Sequence, residues 1–316
     1  MTTAARRRIL LVAHPRRQEA LDVAAGVVRR LVDAGIEVVV QSDEAAAVNL
    51  TAHDGVTLAN PQHPAEGCEL VCVLGGDGTI LRGAEMSRGT GAPLLGVNLG
   101  HVGFLAEAER EDISATVEHI VARSYTVEER MTLDVTAKVD GAPVYTSWAL
   151  NEVTVEKAAR ERMLEIVAEI DGRPLTTWGC DGAVVATPTG STAYAFSAGG
   201  PVVWPDVEAL LLVPISAHAL FARPLVVGPQ SHLALEVVQD TLGTGALWCD
   251  GRRAVDLPPG ARIEVVRSQT PVRLARLSRS PFTDRLVAKF DLNVHGWRGQ
   301  ARREEAARTG RPTPSA

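Results

Sequence analysis

The segment Gly75-Gly76-Asp77-Gly78-Thr79 sets one carboxylate among three glycines, between the apolar run Leu70–Leu74 and a helical pattern reaching Met86. Glycines let backbone N–H groups approach a ligand closely, and a helix start behind them favours anionic phosphate. A carboxylate in that place would repel bare phosphate. Asp77 is therefore suited to hold Mg²⁺ that arrives with a phosphate donor, or to take a proton from an attacking hydroxyl. Arg82, five residues on, can neutralise phosphate charge. The plainer reading is a glycine-rich turn whose Asp caps the next helix.

A second segment, Gly179 to Ser197, offers Asp181 and then Thr187, Thr189, Ser191, Thr192, Tyr194 and Ser197 around Pro188 and Gly190. Short hydroxyls can donate to phosphate or ribose oxygens, and Tyr194 can pack on a planar ring. Such clusters are also found in ordinary turns. Asn151-Glu152 closes the run Trp148–Leu150, and an amide beside a carboxylate can grip a vicinal diol or an adenine edge. Two absences matter. The chain has no G-x-x-x-x-G-K-[ST], and the glycines at 96, 100 and 103 do not have the spacing of a dinucleotide fingerprint.

The elements that must position these residues fall into two kinds. Ile9–Ala13, Ile36–Val40, Leu70–Leu74 and Pro93–Val97 are short apolar strands, separated by helical patterns over Glu19–Leu31 and after Asp77. A further amphipathic helix is expected over Asp112–Val121. Short apolar strands between helices imply a Rossmann-like parallel sheet covered on both faces. After about residue 125 the apolar period becomes two. Asp140-Gly141, Asp171-Gly172 and Asp250-Gly251 each follow such a run, which is a strong hairpin signal. The expectation is an α/β unit over 1–125 and a mostly antiparallel β unit over 126–281. A helix starting at Phe282 is expected to dock back on the first unit, with 282–298 belonging there and 299–316 forming a mobile tail.

The whole chain carries a net charge of −6, so it lacks the basic footprint of a nucleic-acid binder. Lysine occurs only at 138, 157 and 289, so any phosphate clamp must rest on arginine or backbone N–H groups. The cysteines at 68, 72, 180 and 249 form no C-x-x-C pair and read as core or loop residues in a reducing compartment. The apolar run after Arg6-Arg7-Arg8 ends after five residues, short of the roughly 7–15 of a signal peptide. No run reaches the ~18 apolar residues of a membrane span. A cytoplasmic location is expected, with neither nucleic acid nor membrane as a partner.

Gly75–Thr79, Asn98–Leu105, Leu150–Glu152 and Asp181–Pro201 stand in the order and approximate spacing of the NAD kinase family, which the chain resembles over roughly residues 8–298. The first motif also occurs in diacylglycerol and sphingosine kinases and, more loosely, in phosphofructokinases; the Thr-Pro-Thr-Gly-Ser-Thr-Ala-Tyr run is far more specific. The resemblance implies phosphorylation of the 2′-hydroxyl on the adenosine ribose of NAD, with ATP or polyphosphate as donor and Mg²⁺ or another divalent metal. It makes Asp77 the general base and places Gly76, Gly78 and Thr79 at the ligand. Asn151 and Glu152 would hold the adenosine end. Asp181 would lie near the nicotinamide riboside, and Thr189 and Thr192, Ala193, Tyr194, Ala195, Phe196 and Ser197 would line the NAD pocket. Arg82 and Arg162 stand where the family often places a basic contact. Gly179 departs from members that carry a basic residue two before the Asp181 equivalent. The resemblance further implies a homo-oligomer, a dimer or tetramer assembled through the β unit. Two other classes compete: a lipid kinase sharing the Gly-Gly-Asp-Gly-Thr turn, which would need a basic amphipathic or apolar membrane face, and a non-catalytic dinucleotide sensor, which would not need Asp77.

Overall fold

Apolar strands with both faces covered need helices above and below, and the first sheet shows that arrangement. The computed structural model describes residues 6–14, 17–47, 54–100, 103–159, 163–240, 243–278 and 281–294. The strands of the first sheet run in the order Val56–Leu58, Glu37–Val40, Arg8–Ala13, Leu70–Leu74, Leu94–Asn98, Val272–Arg276 and Thr126–Arg130. A short strand, Ala108–Glu109, pairs beside Leu94–Asn98. Helices Gln18–Asp33 and Ile113–Ala122 cover one face, burying Ala24, Val27, Leu31, Val117 and Ile120. Helix Asp77–Ser87 covers the other, where Ile80, Leu81 and Ala84 pack with Leu105 and Leu150.

The order of strands reverses between Arg8–Ala13 and Leu70–Leu74, which are parallel neighbours. In doubly wound sheets a crevice opens beyond the carboxyl ends of two such strands. Here those ends lead directly into His14 and into Gly75, so the fold sets the glycine-rich turn at the switch point.

The remaining strands form two antiparallel sheets of six, packed face to face. One runs Leu225–Val227, Leu210–Ile215, Gly182–Ala186, Glu152–Lys157, Gly245–Cys249, Arg253–Leu257. The other runs Arg173–Cys180, Leu164–Ile170, Leu233–Val237, Arg262–Arg267, Leu133–Val139, Ala142–Ala149. Val153, Val155, Leu164, Ile166, Leu212, Leu247 and Ile263 fill the space between them around the buried Trp178. The three Asp-Gly pairs sit at hairpin turns with positive φ at both residues: 51° and 76° at Asp140-Gly141, 54° and 73° at Asp171-Gly172, 54° and 61° at Asp250-Gly251. Twin positive φ values give the turn a twist that matches that of the strands.

The change of period near residue 125 does not coincide with the boundary between sheets. Thr126–Arg130 and Val272–Arg276, read from the sequence as part of the β unit, are an antiparallel pair completing the first sheet. Alternation identifies a half-covered strand but carries no information about which sheet receives it. After them, helix Phe282–Phe290 ends at Asp291, whose φ is 48°. Its Arg285 donates to the carbonyls of Phe104 and Ala106 and pairs with Glu107. Residues 295–298 and the 299–316 tail lie outside the described residues. Among the described residues, no helix is long and apolar enough to cross a membrane.

Candidate active site

Two clefts of chemistry meet around helix Asp77–Ser87. Gly76 precedes the helix with extended backbone, φ −79° and ψ −177°. A Cβ on Gly75 would fall 2.5 Å from Thr79 Oγ1, so the turn closes only without one. A Cβ on Gly76 or Gly78 would meet nothing within 4 Å: these two glycines face open space that a ligand can enter. That space is a cavity of about 600 Å³ bordered by Gly75, Gly76, Gly78, Thr79, His14, Arg17, Arg82 and Arg252. Helix-start N–H groups and three guanidiniums, with Glu19 also in the wall, give it the chemistry to take a polyanion such as polyphosphate.

Arg82 is anchored at the cavity wall. It donates to the Ala13 carbonyl at 3.3 Å and lies 3.0 Å from Glu44 Oε1. Glu44 is 4 % exposed and accepts the Ala13 N–H through Oε2 at 3.2 Å. Burial pushes its carboxyl up to about 7, against the opposing pull of the Ala13 N–H and Arg82. Arg252 enters the same cavity from the second unit and pairs with Glu85 at 3.0 Å. Sequence reasoning missed Arg252; its place straight after an Asp-Gly turn was the available signal, but nothing in the sequence says where that turn points.

Asp77 does not border this cavity. Its carboxylate turns towards the Asn98–Leu105 motif, accepting the Phe104 N–H at 3.1 Å and the Leu105 N–H at 3.2 Å. A Cβ on Gly103 would sit 2.4 Å from Asp77 Oδ1, so the glycine is what admits the carboxylate. The half-buried Asp77 thus lies between the phosphate cavity and the 103–105 loop. From there the Phe104 ring leads to Phe290, with centroids 5.8 Å apart, and Phe290 stacks on Phe196 at 4.7 Å. The hydroxyl-rich segment is therefore joined to the carboxylate's loop through one ring.

Asn151 and Glu152 are 8 % and 7 % exposed. Asp250 organises them, accepting the N–H of Leu150 at 2.9 Å, of Asn151 at 2.7 Å and of Glu152 at 3.3 Å. Leu150 packs in the same cluster as Ile80 and Leu105, which brings this turn beside helix Asp77–Ser87. Asn151 Oδ1 is buried and has no hydrogen-bond partner among the described residues. An orphaned buried acceptor is costly and suits an N–H or O–H of a ligand. Burial, with Asp250 close by, pushes the Glu152 carboxyl up to about 8, so at neutral pH it holds a proton it can donate. Burial pushes the Asp250 carboxyl up as well, opposed by its three backbone donors and by Arg253 at 2.9 Å. Asp250 too was read from the sequence only as a turn residue.

The segment after Thr187 divides into supports and exposed groups. Thr187 and Ser191 are fully buried; Thr187 donates to the Leu150 carbonyl at 2.6 Å, and Ser191 exchanges hydrogen bonds with the Val203 backbone. Neither hydroxyl is free for a ligand. A Cβ on Gly190 would lie 2.0 Å from the Asn151 carbonyl oxygen, so the two motifs touch backbone to backbone. Ala195 is 0 % exposed and packs on Val184 and Val213, leaving only its backbone for any contact. Thr189, Thr192, Ala193, Tyr194, Phe196 and Ser197 remain accessible, and the Tyr194 N–H donates to Glu152 Oε2 at 3.3 Å. Asp181 pairs with Lys157 at 2.5 Å, which holds its carboxyl below the usual range. At Gly179 a Cβ would meet the Met163 side chain at 2.9 Å, so a larger residue there would have to displace it. Arg162 and His101 lie outside the described residues. Among the described residues, no group of three His, Cys, Asp or Glu stands ready to hold a metal.

Residues 9–125 match the family described as ATP-NAD kinase N-terminal domain, and residues 150–277 match ATP-NAD kinase C-terminal domain. The chain is 61% identical over 301 residues to an NAD kinase of Leifsonia xyli, covering 94% of this chain and 98% of the relative. It is 60% identical over 302 residues to an NAD kinase of Thermobifida fusca, covering 93% and 92%. Among solved structures it is similar in fold to yeast NADH kinase complexed with NADH, with a TM-score of 0.84, 24% identity and coverage of 92% and 89%. It is also similar to an NAD kinase from Archaeoglobus fulgidus in complex with ATP, with a TM-score of 0.66, 26% identity and coverage of 90% and 98%.

Proposed function

The chain belongs to the NAD kinase family, and from that premise we infer how its residues divide the work of phosphorylating NAD. It is a transferase, and the family description together with the ATP complex of the Archaeoglobus fulgidus NAD kinase supports ATP as its phosphate donor. The observation that carries the assignment of roles is the mounting of Asp77, on a helix start at the switch point with both carboxylate oxygens fixed by N–H groups of a second motif.

Phosphoryl transfer asks for in-line positioning, neutralised donor charge and a proton acceptor for the attacking hydroxyl. The cavity behind Gly76 and Gly78, with Arg82 and Arg252 in its wall, is our choice for the donor phosphates. Their Mg²⁺ would come bound to them, since such ions keep several waters and take few protein ligands. Asp77 would accept the proton of the ribose 2′-hydroxyl. The adenosine end would sit against Asn151 and the protonated Glu152, offering an N–H or O–H to the orphaned Asn151 Oδ1. Thr192, Tyr194 and Ser197 would border the rest of the dinucleotide, with Asp181 at its far end. Polyphosphate fits the donor cavity on the same chemistry as ATP.

Two finer readings join this one. The four cysteines are buried and unpaired, which supports a reducing compartment, and we place the enzyme in the cytoplasm. Val144, Met163, Leu175, Phe221 and Val226 are exposed on the β unit and support a homo-oligomer formed through it. Incubating the protein with NAD, Mg²⁺ and either ATP or polyphosphate, and assaying NADP, tests the reaction and the donor together. No NADP with either donor would overturn the reading.

A further inference from the structure

A group of guanidiniums lies apart from the residues assigned above. Arg130, Arg276 and Arg285 border a cavity of about 490 Å³ whose other walls include Phe104, Trp204 and Phe282. Arg130 is 6 % and Arg276 9 % exposed. Two carboxylates answer these three cations. Glu107 accepts from Arg276 at 2.9 Å and Arg285 at 2.7 Å, and its other oxygen takes the N–H groups of Leu277 and Ser278 and the Ser278 hydroxyl. Glu128 accepts from Arg276 Nε at 2.8 Å and pairs with Arg130 at 2.9 Å. Asp206 stands at the cavity's edge, exposed to water.

Among the described residues, the three guanidiniums have only Glu107 and Glu128 in direct contact, and the charge of Asp206 stands in water at the rim. Arg130 Nε is buried with no hydrogen-bond partner among the described residues. A buried cation that shares its one counter-ion with Arg276 is expensive, and a donor left unpaired adds to the cost. Burial first, then repulsion from Arg276, bring Arg130 down to about 10, against the pull of Glu128. Arg285 is lowered by the same two causes in the same order. Guanidiniums held by the buried Glu107 and the half-exposed Glu128 are preorganised forks for a planar or tetrahedral oxyanion. Beside them, Trp204 is 44 % exposed and offers an apolar wall.

We propose that this cavity is a second anion site, separate from the donor and acceptor positions, which takes a phosphate-class oxyanion at Arg130 and Arg276. It is wired to the first site: Arg285 holds the Phe104 and Ala106 carbonyls, and the Phe104 and Leu105 N–H groups hold Asp77. Calorimetric titration with inorganic phosphate and, separately, with AMP tests it in the full chain, on the wild type and three variants. Arg82→Met, altered in the donor cavity, should retain a phosphate-binding event that Arg130→Met weakens at least tenfold. Glu128→Gln removes a competing acceptor and should tighten binding several-fold, a gain that loss of structure cannot imitate. Tighter binding of AMP than of phosphate would assign a nucleotide, and equal binding would assign free phosphate. Unchanged affinity in Glu128→Gln, or an Arg130→Met protein that melts like the wild type and binds phosphate equally well, would overturn the proposal.

Discussion

The carboxylate of Asp77 is pinned to the backbone of Phe104, whose N–H donates to Oδ2 at 3.1 Å while the next N–H, of Leu105, donates to Oδ1 at 3.2 Å. The two residues come from different motifs, one from a helix start and one from a loop leaving the neighbouring strand. Their contact fixes where the carboxylate stands before any ligand arrives, the preorganisation that the proposed base would need.

Asp77→Asn should therefore keep NAD binding within a few-fold and lose turnover by roughly 10²–10⁴-fold. Single-turnover rates and NAD titration measure the two separately. A Mg²⁺ titration of the variant distinguishes a base from a metal ligand, because loss of a ligand would raise the Mg²⁺ requirement steeply. Retention of most kinase activity would sink both roles.

Gly103→Ala offers a more delicate probe. The new Cβ would come 2.4 Å from Asp77 Oδ1, and the carboxylate end would swing aside while the backbone stayed in place. Stability should fall by on the order of 1–3 kcal/mol as the charged hydrogen bonds weaken, whereas kcat should fall on the order of 10²-fold from a displacement near 1 Å. A variant with normal kcat would show that the position of this carboxylate is immaterial.

Glu152 gives a pH signature. Its carboxyl stands at about 8 in the folded chain against an ordinary 4.5. The folded state therefore binds the proton more tightly. The stabilisation is complete below the unfolded value and is lost as pH rises from about 4.5 through about 8. Glu152→Gln cannot ionise, so its stability relative to wild type should climb across that window by a few kcal/mol, an order-of-magnitude figure. Denaturant midpoints at pH 5 and pH 8 supply the comparison. Parallel pH profiles for the two proteins would contradict a protonated Glu152.

Arg82→Met should raise KM for ATP by about tenfold or more, the worth of a hydrogen bond to a charged partner, and leave KM for NAD nearly unchanged. Steady-state kinetics with each substrate varied in turn reads this. An equal rise in both constants would mean that the substitution disturbs the fold through Glu44 instead of weakening the grip on the donor.

Most of the framework was legible because its signals are local. Leu70–Leu74, the helix beginning at Asp77 and the Asp-Gly hairpins depend on side chains within a few residues of one another. Family motifs singled out Asp77, Asn151 and Glu152 as well. What escaped was settled by distant partners. Thr187, Ser191 and Thr192 carry the same hydroxyls, and only the fold decides that the first two are buried against the Leu150 and Val203 backbone while Thr192, donating to the Thr189 carbonyl, stays accessible. Asp250 looks like a turn residue and also organises a strand end about a hundred positions earlier. The destination of Thr126–Arg130 depended on Val272–Arg276, far along the chain.

Because Arg130 and Val272 face each other in register, the entire sandwich is strung between two points a single strand spacing apart. Cutting the polypeptide near residue 125 would strip the first sheet of its last two strands and bare the Leu94 end of Leu94–Asn98, whose other end keeps Ala108–Glu109. A faithful dissection would instead splice Arg130 to Val272 through a turn of about two to five residues, yielding a nucleotide-cleft module with its own complete sheet. The excised sandwich would then carry closely spaced ends, suited to re-insertion into another host or to circular permutation.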